Sequence, residues 1–345
     1  VKIDRFAVTI LLLMALVPGM ALGDGADMYQ LGADAANRAM TELGFEKGDL
    51  NVLALTNAGY PVIDGVTTDM CLDAVMDVSG CTPGKENLIN TQSPPWKPLW
   101  FGFFNKNTGD AVYMKANADA TGFDVQEKDE IDADYVLANV ETWEPGVFGH
   151  MMPIANVWAH ENTPYVFMKA VQLHDHICPG VSSGFLEARY VEDELPITDP
   201  NNQSYKVIAC PNWCKDDYFQ VAWDCTPGKK GMYVKYLTAD ETSALTEKYG
   251  TRVAGIFIRW DGSSNSGDGL VLGFDFDKAG NMSNIDTWPS WAYRLKEDLV
   301  LMDSADTPED FVSTIKEFPL ESMSELQALQ GAGVNPLKVL GVESG

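Results

Sequence analysis

An α+β fold built from two related halves is what this sequence predicts, and three observations predict it. A cysteine-bearing motif occurs twice, helical and strand-like apolar spacings alternate around each occurrence, and glycines stand where the helices should end. The motif runs from Cys71 to Lys85, closing on Cys81-Thr82-Pro83-Gly84-Lys85. It returns from Cys214 to Lys229, closing on Cys225-Thr226-Pro227-Gly228-Lys229. Cys81 and Cys225 lie 144 residues apart, too far for a solenoid repeat and about the length of one domain. The expected architecture is two tandem α+β domains of helix-strand-helix-hairpin type, followed by C-terminal helices.

The elements follow in order. Met28, Leu31, Ala35, Met40 and Leu43 recur at helical spacing and stop at Gly44, a glycine suited to cap a helix C-terminus. Residues 51–56 read as a short buried strand, residues 69–79 as a helix ending at Gly80, and residues 99–104 and 111–115 as a hairpin. In the second copy the first helix falls at 180–191, the strand at 205–210, the second helix at 214–223, and a new strand at 232–236. Thr238-Ala239-Asp240-Glu241 forms a capping box that opens a helix to about Tyr249. Residues 253–260 and 269–276 make a second hairpin. Its loop, 261–269, is rich in Asp, Ser and Gly but lacks the ligand spacing and closing glutamate of a calcium loop, so it reads as a plain turn. Two further helix starts, at Thr307 and Ser322, are read as packing helices, the latter ending near Gly331. The resulting division is 1–23 leader, 24–120 first copy, 121–165 connecting segment, 166–290 second copy and 291–345 C-terminal helical extension.

Charge and composition limit the partners. Fifty acidic residues against 24 basic ones leave a net charge of −26, which repels phosphate backbones and anionic bilayers, so nucleic acid is excluded as a partner. Lys2 and Arg5 precede an apolar run over residues 6–16 and a small-residue exit near Gly23. That order predicts an export signal and a secreted or extracytoplasmic mature chain. The run is shorter than the roughly 20 residues a spanning helix needs, and no later stretch is more apolar, so no stable membrane insertion is expected.

The chemistry concentrates in Leu173-His174-Asp175-His176-Ile177-Cys178-Pro179-Gly180. Residues 174, 176 and 178 share parity, so an extended backbone turns all three side chains to one face. An ideal strand holds such neighbours about 7 Å apart, which favours two of the three plus a remote ligand around one ion. Pro179 is a preferred first helical residue and makes Cys178 the expected N-cap, where the helix end favours thiolate. Remote candidates are Cys214, which opens a helix, and Cys225, presented by a type II turn at Pro227 and Gly228 with Lys229 nearby. Cys210 lies four residues before Cys214, and a disulfide between them competes with the metal reading, as one between Cys71 and Cys81 does in the first copy. Isolated histidines and cysteines are usually ordinary polar or buried residues, but three in five positions beside a helix start favour a soft metal or thiolate site. The first copy carries Met28-Tyr29-Gln30-Leu31-Gly32 at the matching helix, so it serves as scaffold or completes a pocket.

The pairing of His-x-His-x-Cys-Pro-Gly at 174–180 with Cys214, an aspartate and Cys225-Thr226-Pro227-Gly228-Lys229 resembles the FmdE family, which takes its name from formylmethanofuran dehydrogenase. The resemblance spans about 170–237 in the second copy and about 28–116 in the first, with Asp175 where the family has glycine between the histidines. It implies an α+β domain that dimerises and carries a metal, commonly zinc, with His and Cys ligands. By position these are His174, His176 and Cys178, supported by Cys214 or Cys225. Tandem FmdE-like copies would mimic the dimer inside one chain, a pseudo-dimer. The family name carries a link to methanogenesis and to molybdenum or tungsten enzymes.

Three functions follow as expectations. The first is a secreted protein that holds zinc or a similar soft divalent ion and uses it to bind a small ligand or metallocofactor between the copies. The second is an enzyme with Cys178 or a metal-bound water as nucleophile and His174 or His176 as base. The third is a disulfide-stabilised cell-surface structural protein.

Overall fold

The computed structural model describes residues 22–284 and 286–343, so nearly all of the expected leader lies outside the described residues. In the first copy, α1 (Leu22–Glu42) buries Met28, Leu31, Ala35, Ala36 and Ala39 along one face and gives way to Gly44 at φ 63°. The wholly buried β1 (Val52–Thr56) follows, then the small hairpin of β2 (Val62–Ile63) and β3 (Val66–Thr67). Next come α2 (Asp69–Ser79), stopped by left-handed Gly80 as its sequence predicts, and β4 (Leu88–Asn90). The strands β5 (Trp100–Asn105), β6 (Ala111–Ala116) and β7 (Phe123–Lys128) complete a sheet of order β4-β1-β5-β6-β7, antiparallel except for β1 beside β4.

Three helices join the copies: α3 (Ala133–Ala138), α4 (Met151–Ala159) and α5 (Tyr165–His174). The second copy then repeats the plan with α6 (Pro179–Glu194), β8 (Gln203–Ala209), α7 (Lys215–Ala222) and β9 (Met232–Val234). Helix α8 (Ala239–Tyr249), opened by the expected capping box, precedes the long hairpin β10 (Arg252–Asp261) and β11 (Ser266–Phe274). After α9 (Phe276–Met282) and α10 (Ser290–Asp303) comes β12 (Val312–Leu320), then α11 (Met323–Gln330) and α12 (Pro336–Val339). The second sheet has the order β12-β11-β10-β8-β9, with β8 parallel to β9 and all other pairs antiparallel. Reversed, this is the first sheet strand for strand.

Two expected boundaries move. Strand β7 falls in the segment 121–165 assigned to a connector, and β12 falls in the extension 291–345 assigned to helices. The start at Thr307 yields one 3-10 turn, Pro308–Asp310, before the chain turns extended. Both strands edge their sheets and carry the charges and proline that edges favour, which dilutes the apolar alternation a sequence reader looks for.

The largest core belongs to both copies. Leu53, Leu55 and Phe104 of the first sheet pack with Met151, Ile154 and Phe167 of the connecting helices and with Leu186, Phe219, Phe257 and Leu272 of the second copy. The opposite face of the first sheet carries α1 and α2 through Ala35, Val75, Phe101 and Phe103, and the far face of the second sheet buries Ile256 and Val271 with Leu245, Leu326 and Leu337. The chain thus stacks helices, sheet, helices, sheet and helices in turn. Among the described residues no helix is long and apolar enough to cross a membrane.

Candidate metal centre

Helix α5 runs as far as His174, and Asp175 then adopts the left-handed conformation at φ 66°. Aspartate tolerates that conformation better than most residues. The chain turns through His176 and reaches Cys178, which is extended at φ −155° and caps α6 ahead of Pro179, as expected. The extended 174–178 segment inferred from sequence is therefore a helix end, a reversal and a helix start. That reversal brings all three side chains together, where a strand would have spaced them apart. The imidazole centroids of His174 and His176 lie 4.3 Å apart, and Sγ of Cys178 is 3.9 Å from Nε2 of His174. One donor atom from each of the three falls within 4.8 Å of the others.

Cys214, at the start of α7, adds a second sulfur. Gly180 makes room for it: a Cβ there would lie 3.0 Å from Cβ of Cys214, 3.3 Å from its Sγ and 3.5 Å from Sγ of Cys178. Hydrogen bonds to Cys178 and then to His174 pull the Cys214 thiol down to about 4, against burial. Proximity to Cys214, together with burial, pushes Cys178 well up, so the pair resists losing both protons. Burial alone would lower His174, but hydrogen bonds to Asp217 and Cys214 outweigh it and raise the imidazole to about 9.

Both histidines are oriented from behind. Nδ1 of His174 donates to Oδ2 of Asp217 at 2.7 Å, and Nδ1 of His176 donates to Oδ1 of Asp175 at 2.7 Å. This is the carboxylate-histidine arrangement that fixes ring orientation and raises ligand basicity in metal sites, and it leaves Nε2 of each ring as the atom turned away from its carboxylate; at His174, which the raised value keeps protonated, a bound ion would displace the Nε2 proton. The other oxygen of Asp217 accepts from Gln220 at 2.8 Å. Sequence reasoning did not single out Asp217. The signal was there, since it lies three residues after Cys214 and shares a helix face with it.

The remaining cysteines lie elsewhere. Cys225, proposed as a ligand, is buried in the core and donates its thiol to the carbonyl of Tyr205 at 3.2 Å. The expected type II turn after it is a 3-10 turn, Pro227–Lys229, capped by Thr226, and Lys229 pairs with Asp224 instead of reaching a sulfur. Cys81 repeats this at the matching place, donating to the carbonyl of Val52 at 3.6 Å, and Cys71 donates to the carbonyl of Met28 at 3.0 Å. Burial pushes Cys71, Cys210 and Cys225 each up to about 12 and raises Cys81, so these four are packing thiols. All six cysteines are free, so the structure contains neither a Cys71–Cys81 nor a Cys210–Cys214 disulfide.

A cleft of about 260 Å³ opens beside the centre, between Ser93, Trp100 and Tyr113 of the first copy and Val147, His150 and Asp175. The copy without ligands thus supplies a wall. Burial lowers His150, which keeps it neutral, although Asp175 opposes the shift.

Fold and site together define a class: a duplicated α+β chain in which one copy presents a mixed imidazole and thiol cluster and the other faces it across a cleft. The chain belongs to the FmdE family. The family model described as "FmdE, Molybdenum formylmethanofuran dehydrogenase operon" matches residues 26–139 and 173–319, one segment for each copy, and both edge strands are included. The two segments fit a pseudo-dimer within one chain. No curated protein matches this chain.

Proposed function

We propose that this protein binds one soft divalent ion, zinc foremost, through Nε2 of His174 and His176 and the sulfurs of Cys178 and Cys214, and presents it to a small ligand in the adjoining cleft. The observation that carries the reading is the pair of carboxylates behind the imidazoles, Asp217 and Asp175 at 2.7 Å, because each holds Nδ1 and leaves Nε2 as the ring's ligand atom, an ion displacing the proton that His174 carries there. The separation of 3.9 Å between Nε2 of His174 and Sγ of Cys178 also suits the donor set. Ligands about 2.1 and 2.3 Å from a tetrahedral ion stand roughly 3.6 Å apart. Four protein donors close a tetrahedral shell, so such an ion, when bound, supplies Lewis acidity to a ligand only at a fifth position or where one donor gives way. This chain's part is to hold the four donors, keep His150 neutral and keep the cleft accessible.

Anaerobically purified full-length protein is expected to contain about one zinc per chain by elemental analysis, and Cys178→Ala to lose it. A sample with no ion and no uptake on titration overturns the proposal. Catalysis at the same centre is the second reading, favoured by the proximity of Cys178 to His174. Its mark would be alkylation of Cys178 by iodoacetamide in metal-loaded protein, whereas a coordinated thiolate resists the reagent. Export belongs to the same proposal on the strength of Lys2, Arg5 and the apolar run at 6–16. N-terminal sequencing of secreted material should give a terminus near Gly23, and retention in the cytosol with an intact leader refutes it.

A further inference from the structure

The cleft beside the centre is the inner end of a longer trough. A second cavity of about 440 Å³ shares Ser93, Trp100, Tyr113 and Val147 with it and extends outward to Lys97 and Lys115. Its floor is the inner face of the first sheet. Trp100 and Tyr113 lie there on neighbouring strands with ring centroids 5.8 Å apart and planes inclined by only 23°. Gly102 is the residue paired with Tyr113, so the sheet itself places no side chain between the rings. A Cβ at that glycine would meet Sδ of Met151 at 2.8 Å, so Met151 packs on this same face in the place a side chain would take. His150 stands edge-on to Trp100, 5.5 Å between centroids and 89° between planes, and closes the inner end.

The chemistry at the two ends differs. At the outer end Asp124 faces Lys115 across the strands, which leaves the ammonium of Lys97 in excess. No ion pair among the described residues engages Lys97 or Lys115. In a chain with 50 acidic and 24 basic residues, one surplus ammonium at a cavity mouth forms a local positive site. At the inner end Asp175, which holds His176, lines the wall. Aromatic rings lining a cavity select planar π systems over saturated rings of the same size, and an ammonium at its end selects an anion.

We propose that the trough binds a planar aromatic monoanion, with its ring system on Trp100 and Tyr113, its charge at Lys97 and Lys115, and its opposite edge directed toward His176. The inference rests on the metal reading only for what that inner edge meets. The test is calorimetric titration of metal-loaded, full-length protein with 2-naphthoate, its neutral analogue 2-naphthol and its saturated analogue decahydro-2-naphthoate. The expected result is that 2-naphthoate binds at least tenfold more tightly than either analogue. The exposed double variant Lys97→Gln/Lys115→Gln should weaken 2-naphthoate at least tenfold and leave both 2-naphthol affinity and metal content unchanged. Equal affinity for the saturated acid, or indifference of 2-naphthoate to the double variant, overturns the proposal. An ion held at one per chain with no uptake of 2-naphthoate also overturns it and leaves the metal reading standing. Binding with the same lysine dependence in a chain that takes up no ion supports the trough and removes the metal reading alone.

Discussion

Cys214 and Cys225 carry the same side chain in the same copy and do opposite things. The first begins a helix and lies beside Cys178 and His174, whose hydrogen bonds pull its thiol down. The second is sealed in the core with its thiol spent on a backbone carbonyl. Cys214→Ala should therefore weaken metal binding by about a hundredfold or more while leaving the fold in place. Cys225→Ala should keep full metal content but lose about 1 kcal/mol of stability from the buried sulfur. Elemental analysis and urea unfolding of the two variants separate the roles. Asp217→Asn should weaken metal affinity about ten- to a hundredfold without touching a ligand. At this scale the sequence disclosed His174, His176 and Cys178 because they are neighbours in the chain. It left Cys214 and Cys225 undecided because the direction of a remote sulfur is set by which helix it starts and which strand it lies under.

At the level of elements, the site depends on how closely α6 and α7 approach. A Cβ at Gly184 would come within 2.7 Å of the carbonyl oxygen of Lys215, just as one at Gly32 would come within 2.4 Å of that of Cys71 where α1 meets α2. By this contact Lys215, not Cys214, occupies the place of Cys71, so the aligned cysteines are not structural equivalents. Gly184→Ala should force the helices apart, cost about 1–3 kcal/mol and lower metal affinity. Gly32→Ala should impose a similar stability loss with no effect on the ion, as thermal unfolding and metal analysis will record. Helix α10 contacts α6 through Asp298, whose Oδ1 accepts from the hydroxyl of Ser182 at 2.6 Å. Burial raises Asp298 well above the ordinary range and its neighbour Glu297 to about 7. A carboxyl raised in the folded state contributes stability at pH below its unfolded value near 4, and this is lost as pH rises toward the folded value. Glu297 completes its share of that loss by about pH 7. Asp298→Asn should flatten the decline between pH 4 and 8 and raise stability at the upper end, measured by urea unfolding across that range. The helix ends were legible because the stops at Gly44 and Gly80 and the start at the Thr238 box are local signals. The left-handed Asp175 was not, because an aspartate there is allowed but not required.

Across the whole molecule, duplication was the most legible feature, since a repeated pentapeptide survives any error in element boundaries. The shared core was not legible: nothing local in Leu53, Leu55 or Phe104 says that they pack with connecting helices and with Phe219 and Phe257 of the other copy. A core drawn from both halves makes separate unfolding of either one expose apolar surface on the other. Urea titration should therefore give a single transition, coincident by tryptophan fluorescence and far-ultraviolet circular dichroism. Two resolved steps would show that the halves are energetically independent. The covalent joining of unlike halves also fixes a stoichiometry. A pocket assembled from separate polypeptides empties on dilution, whereas here the wall bearing Trp100 and Tyr113 is tethered opposite the histidines at every protein concentration. Loading should follow free ion alone, and a cell could express this protein sparingly without losing the site.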